Sequence, residues 1–385
     1  MSTAKQYREL LGRGSRSGWT EATSGDNVAV AAAGELLERL RAELAYIQDK
    51  TGIEPDQDEL ERLLSQARDG VRRMFDDAAL TPEAQTGLEA VIRTDGSRPV
   101  LFVDDDVPDL TAPSAEAYSL RLSSNESAIR GVCRSVGRVD DPMSTAGYRG
   151  TAWVIAEGLV ATNYHVLRGI APGGFRSGNR FTGRINTGAA VHFGHEVGRR
   201  EQAERRFPIR RVVSVGREGA PEHVHPLDRT MNFDGLDLAV LELEPVPGRA
   251  FPEPVKVARG DDPVTRGGLA TPDRAVYLVG YPTANSQTDQ HDFEKIFGGV
   301  STFKRFAPGQ IMAVDNVPED PRGWVLTHDA STLGGNSGSA VVDLQGDCRT
   351  VLGLHFAGDR LHQNWAHTLE RITKDLGSVL PPIGP

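Results

Sequence analysis

The sequence predicts a mainly β protein, a sandwich or barrel preceded by a small α-helical domain. From about residue 126 onward, short apolar runs alternate with Gly, Pro, Asn and Asp and no helical period intervenes, the texture of an all-β module. Between residues 27 and 94 the apolar residues recur instead at helical spacing. A chain of 385 residues has room for both modules.

Taken in order, residues 1–26 are polar and rich in Gly, Ser and Thr, and a disordered tail is expected there. Leu36, Leu40, Leu44 and Ile47 then mark one amphipathic helix, and Leu60, Leu63, Leu64, Ala67, Val71 and Met74 mark a second. Asp56, with Glu59 three residues on, opens that second helix as a capping box, and Thr81-Pro82-Glu83 opens a third. Three short helices must bury their stripes, either in a core of their own or in a dimer seam. The helical domain, residues 27–94, carries no catalytic signature.

Residues 95–125 read as a strand, "RPVLFV", and an acidic, proline-bearing linker. Asp104, Asp105 and Asp106 are expected to form a solvated face. Within the β module, residues 126–385, the strand candidates are "GTAWVIAEGLVATNYHV" with a turn at Glu157-Gly158, "RRVVSVG", "LDLAVLEL", "AVYLVGYP", "GWVLTHDA", "SAVVDL" and "TVLGLHFAG". "NWAHTLERITKDLG" reads as a closing helix. The run from 199 to 211, "RREQAERRFPIRR", reads as a solvated loop.

Composition excludes several classes of function. A formal charge of −10 opposes any general affinity for nucleic acid or an anionic membrane, so neither partner is expected. No stretch approaches the ~18 apolar residues of a membrane span, and the first residues have no signal-peptide pattern, which predicts a cytoplasmic protein. Two cysteines, Cys133 and Cys348, are too few for a disulfide scaffold and are expected as free thiols in strands. His192 with His195 and His223 with His225 are expected in surface loops. They lack the spacing of a zinc site, so no metal or other cofactor is predicted.

Three short pieces carry the chemistry. His165 stands at the end of a strand, Asp237 precedes an alternating strand, and Ser337 lies in "GGNSGSAV", whose glycines let the backbone fold tightly and aim two amides into one space. A serine hydroxyl becomes a nucleophile when an imidazole takes its proton. The imidazole needs a carboxylate to fix its tautomer, and the tetrahedral oxyanion needs preorganised donors. Each role has a candidate.

The order His165, Asp237, Ser337, with the motifs T-N-Y-H, D-L-A-V-L and G-N-S-G-S, resembles the trypsin-like, chymotrypsin-fold serine peptidases over residues from about 126 to 377. The resemblance implies two six-stranded β-barrels meeting at a cleft, with "VYLVGYP" as a strand of the second and "NWAHTLERI" as the final helix. It implies Ser337 as nucleophile, His165 as general base and acid, Asp237 as orienter, and the amides of Gly335 and Ser337 as oxyanion hole. The 72-residue spacing from His165 to Asp237 exceeds that of bacterial members, and the excess falls in 171–211.

The resemblance extends to the specificity pocket. Ser331 stands where an enzyme cutting after Lys or Arg would carry an aspartate, which disfavours basic substrates. Thr332 and His355, within "STLGGNSGSAV" and "GLHFAG", match glutamyl endopeptidases, so a substrate Glu or Asp is expected to meet Thr332, His355 and the backbone near Gly358. His355 packing the pocket floor is the alternative. The expected partners are a protein or peptide substrate and an activating protein docking on residues 27–94. The alternative function is a catalytically silent adaptor that only binds peptides.

Overall fold

The computed structural model describes residues 4, 7, 26–54, 56–94, 98–198, 202–216, 235–282, 302–315, 317, 320, 322–332, 336–359 and 363–376. Most of the expected tail, together with His223 and His225, lies outside them. The chain divides into two units, one of Met1–Phe102, Pro108–Ser124 and Ala284–Thr302, the other of Val103–Val107, Asn125–Thr283 and Phe303–Pro385.

The first unit is built on helices α1 (Asp26–Thr51), α2 (Gln57–Phe75) and α3 (Pro82–Thr94), with a short α4 (Ser119–Ser124). The α2 start follows from its cap: the Asp56 carboxylate accepts the Glu59 amide at 3.1 Å, relieving one of the unpaired donors of the first turn. Helices α2 and α3 cross at glycine. A Cβ on Gly87 would stand 2.2 Å from the Ala67 amide nitrogen, and one on Gly70 would stand 2.4 Å from the Ala84 carbonyl. Leu40, Leu63, Ala67, Val71, Met74 and Leu88 are buried.

The second unit carries the β structure. The strands in chain order are β1 (Leu101–Asp104) and β2 (Val107–Pro108), each divided between the two units, β3 (Val136–Asp140), β4 (Tyr148–Ala156), β5 (Leu159–Thr162), β6 (Phe175–Ser177), β7 (Arg180–Thr182), β8 (Ala190–His192) and β9 (Arg206–Val215). They continue with β10 (Ala239–Leu243), β11 (Lys256–Val257), β12 (Ala275–Gly280), β13 (Arg305–Ala313), β14 (Val325–His328), β15 (Ala340–Asp343), β16 (Thr350–Asp359) and β17 (Gln363–Thr368). Helix α5 (Glu126–Ser135) precedes β3, α6 (Tyr164–Ile170) follows β5, and α7 (Thr373–Leu376) follows β17.

Six strands in the order β10-β5-β4-β3-β8-β9 close a first barrel. The order β12-β15-β16-β17-β14-β13, with β13 pairing back to β12, closes a second. This is the double-barrel fold class expected from the sequence. The β4–β5 hairpin turns at Glu157-Gly158, where Gly158 takes a φ of +66° that disfavours side-chain-bearing residues. Val139, Val154, Val160, Phe193, Phe207 and Leu241 fill the first barrel, each at most 1% exposed. Tyr277 stacks on Phe306 in the second, with ring centroids 4.6 Å apart.

Several local expectations are corrected. Residues 364–368 of the supposed closing helix belong to β17, paired with β14 and β16, and only Thr373–Leu376 is helical. The pairing overrides the helical spacing of its apolar residues. Cys133 lies in α5 and Cys348 in a turn at φ +54°, and both are buried free thiols. Residues 206–211 belong to β9 rather than to a loop. His192 is a buried residue of β8, 6% exposed, with Nε2 against the Gln202 carbonyl at 3.1 Å, and His195 stacks on Phe303. Among the described residues no group of His, Cys, Asp and Glu is arranged to hold a metal ion, and no helix is long and apolar enough to cross a membrane.

The acidic triplet is the largest departure. Asp106 is 2% exposed and takes part in a buried ion cluster. Lys304, fully buried, donates its three ammonium protons to the Cys133 carbonyl (2.7 Å), the Phe193 carbonyl (2.7 Å) and Glu196 Oε1 (2.8 Å). Glu196 Oε2 accepts the Asp106 amide at 3.1 Å, and the Asp106 carboxylate takes Arg205 at 2.8 Å and Arg134 at 3.1 Å. Burial alone would raise the Asp106 pKa, but Lys304 and Arg205 outweigh it and hold the carboxyl below its usual 3.8.

Because the folded value is depressed, this contribution to stability is present above the unfolded pKa of about 4 and is lost as pH falls below it. Lys304→Met strands a buried carboxylate. It is expected to lower the unfolding free energy by about 3–5 kcal/mol in urea titrations at neutral pH. A loss of about 1 kcal/mol or less, the range of exposed pairs, would contradict that burial.

Candidate active site

Strand register brings two of the three predicted residues together. In the first barrel β5 and β10 run antiparallel with Thr162 opposite Ala239, so the residues just past the end of β5 meet those just before β10. His165 follows β5 and Asp237 precedes β10. His165 lies in the first turn of α6 rather than at a strand end, and that turn has orphan amides to satisfy. The Asp237 carboxylate supplies the acceptor: Oδ1 takes the His165 amide at 3.0 Å and Oδ2 meets His165 Nδ1 at 2.6 Å. Asn163, which precedes the helix, donates its side-chain amide to the Asp237 carbonyl at 3.0 Å.

The electrostatics follow from this contact. The Asp237 side chain is 4% exposed while that of His165 is 40% exposed, so one edge of the imidazole faces outward. Burial would raise the Asp237 carboxyl, yet the charge and hydrogen bonds of His165 hold it below its usual value. Desolvation would lower His165, and the Asp237 carboxylate outweighs it, raising the imidazole above 6.5.

Ser337 comes from the second barrel, in the turn before β15, and its carbonyl accepts the Thr151 amide of β4 at 2.9 Å. The next residue, Gly338, donates its amide to the His355 carbonyl of β16 at 2.9 Å. The loop is therefore stapled to both barrels. Gly338 has φ +87°, and a Cβ there would stand 2.0 Å from the Thr151 carbonyl, so no side chain fits beside Ser337. Gly150 answers a similar constraint across the contact, where a Cβ would stand 2.8 Å from the Ser337 carbonyl. Gly335, expected in the oxyanion hole, lies outside the described residues.

The predicted pocket residues fall into two groups. Thr332 donates its hydroxyl to Asn364 Oδ1, and Asn364 Nδ2 donates to the Ala330 carbonyl at 2.9 Å. Gly358 faces Asn364 in the β16–β17 register, and a Cβ there would stand 2.2 Å from Asn364 Oδ1, so the missing side chain makes room for the amide. His355, 4% exposed, meets His328 with Nδ1 3.3 Å from the His328 Nε2. Burial and the nearby His165 pull His355 down to about 3, which keeps it neutral at physiological pH. Ser331 and Thr332 are half-buried.

Sequence reasoning missed Asn364, His328 and His367, the last of which accepts the Asp237 amide. Their partners lie 27 to 130 residues away, and strand pairing alone makes them neighbours.

Comparison with known proteins shows the family of the chain. The model of the family described as "Trypsin-like peptidase domain" matches residues 150–354, more than half of the chain. A probable serine protease of Lysobacter enzymogenes is 29% identical over 385 residues, covering 94% of each chain. Among solved structures, the active form of the Rv3671c protease from M. tuberculosis is 22% identical, covers 68% of this chain and 88% of its own, and gives a TM-score of 0.38. An inactive form is 19% identical, covers 66% and 93%, and gives 0.36.

Gly358→Ala is expected to displace Asn364 and release Thr332, raising KM by about tenfold with a smaller change in kcat, read by steady-state kinetics. An unchanged KM would remove Asn364 from the pocket.

Proposed function

The chain belongs to the trypsin-like peptidase family and is a serine endopeptidase, and we propose that His165, Asp237 and Ser337 perform the hydrolysis. The observation that carries this assignment is the double contact of the Asp237 carboxylate with the amide and Nδ1 of His165. It keeps the Nδ1 proton toward the carboxylate and leaves Nε2 as the basic nitrogen.

Ser337 Oγ attacks the scissile carbonyl as His165 Nε2 takes its proton. The new C–O bond pushes the carbonyl electrons onto oxygen, where the amides of Gly335 and Ser337 receive the charge. The intermediate collapses by breaking the C–N bond, and His165 returns the proton to the departing amine. Water then repeats the sequence on the acyl-enzyme and frees the carboxyl product.

The pocket supports a preference for Glu or Asp on the acyl side. Ser331 offers no negative charge to a Lys or Arg, and the His355 imidazole, held against His328, has an N–H that can donate to a substrate carboxylate. Thr332, tied to Asn364, shapes the wall opposite Gly358. Residues 27–94 act in this scheme as the docking site of an activating protein partner.

Digestion of a peptide library, read by mass spectrometry, tests the scheme. The full chain is expected to cut after Glu and Asp, and Ser337→Ala to lose on the order of 10⁶ in kcat. Activity surviving in Ser337→Ala would sink the nucleophile, and cuts spread over other residues would sink the pocket assignment. Catalysis needs neutral His165, so kcat/KM is expected to rise with pH through a midpoint above 6.5. Deleting residues 27–94 is expected to abolish stimulation of turnover by a partner-containing lysate fraction, and equal stimulation of both chains would rule out docking there.

A further inference from the structure

Besides the Asn163 bond to its carbonyl, Asp237 makes a second contact that the reaction scheme leaves unused. Its backbone amide donates to Nε2 of His367 at 3.0 Å. Both residues are buried, His367 at 0% and Asp237 at 3% exposure. His367 sits in β17 of the second barrel, opposite Val325 of β14 and Leu354 of β16, and its ring stacks on Phe356 with centroids 4.3 Å apart and planes 16° apart.

The chemistry of the contact fixes the state of the ring. A nitrogen that accepts from an amide carries no proton, so His367 is the neutral tautomer with its hydrogen on Nδ1, which meets no acceptor among the described residues. Burial favours that state and pulls the imidazole down to about 4, with the Asp237 carboxylate and His165 acting in opposite directions on it. A lysine or arginine in this place would present only donors to a donor, and an aliphatic residue would leave a buried amide unpaired.

The geometry points to His367 as a positioning residue for the orienting carboxylate. It is a neutral acceptor, fixed in the second barrel, that holds the Asp237 main chain where both carboxylate oxygens reach His165. The segment it holds is irregular, since β10 begins only at Ala239, so strand pairing does not set the depth of Asp237. Asn163 at its carbonyl and His367 at its amide, from across the unit, do so together, and with it set the alignment of His165. The inference rests on the assignment of His165 and Asp237 as base and orienter.

Two variants of the full chain separate the acceptor from the packing. His367→Phe keeps a ring to stack on Phe356 and removes the acceptor, whereas His367→Gln loses the ring and restores an acceptor oxygen. His367→Phe is expected to lower kcat by about 10- to 100-fold while KM changes by less than about threefold. The acid limb of its kcat/KM profile is expected to move to lower pH, because a slackened carboxylate stabilises the His165 imidazolium less. His367→Gln is expected to recover most of both. A folded His367→Phe with kcat within about twofold of the parent and an unmoved acid limb would overturn the proposal.

Nitrogen NMR of ¹⁵N-histidine-labelled Ser337→Ala, with the His367 signals identified by their absence from His367→Gln, decides the matter even where His367→Phe fails to fold. An unprotonated Nε2 with a protonated Nδ1 between pH 5 and 8 is expected, and a proton on Nε2 would overturn the contact. Hydrolysis persisting in Ser337→Ala would instead refute the triad and leave this tautomer result standing.

Discussion

A carboxylate removed from water must be given donors, and the site is organised around that demand. Asp237 is nearly inaccessible, so its charge survives only because the amide and the ring of His165 both point into it. The requirement reaches backward into the fold. It needs β5 and β10 in a register that places their ends side by side, a helix beginning at Tyr164 so that an orphan amide faces the carboxylate, and Asn163 gripping the Asp237 carbonyl. It also reaches across to the second barrel, where His367 takes the Asp237 amide. The alignment of the proposed base and the satisfaction of the buried Asp237 carboxylate are here the same arrangement.

The cluster around Lys304 meets a similar demand without facing the site. Its ammonium has three acceptors for three protons, and the two carboxylates beside it are shared with Arg205, Arg134 and a backbone amide. Complete satisfaction is what makes such a buried group tolerable. It also pins Val103–Val107, a short piece contributed from before α5, into the second unit beside β13.

The fold class was legible because β sequences advertise themselves locally. Alternating apolar runs, a Glu-Gly turn and glycine punctuation placed β4, β5, β10, β12 and β15 near their observed positions. The candidate triad was legible because a histidine, an aspartate and a glycine-flanked serine in this order form a joint signal that none forms alone. What could not be read depends on distant pairing. Asp106 looks like a solvated acid until Lys304 and Arg205 are folded onto it. The 364–368 stretch falls in a run with helical spacing, and only its neighbours β14 and β16 make it a strand. Asn364 gains its role because Gly358, on the adjacent strand, has no side chain.

The tie between the Ser337 carbonyl and the Thr151 amide has a further effect. The serine loop belongs to one barrel and its staple to the other, so a molecule that opens locally in either barrel loosens the loop while exposing cleavable chain. For an opening at this staple, competence and vulnerability are then mutually exclusive within one molecule. With Ser337 as the proposed nucleophile, self-digestion would require an intact copy to meet an opened one, and would be second order in protein concentration and slow when the protein is dilute.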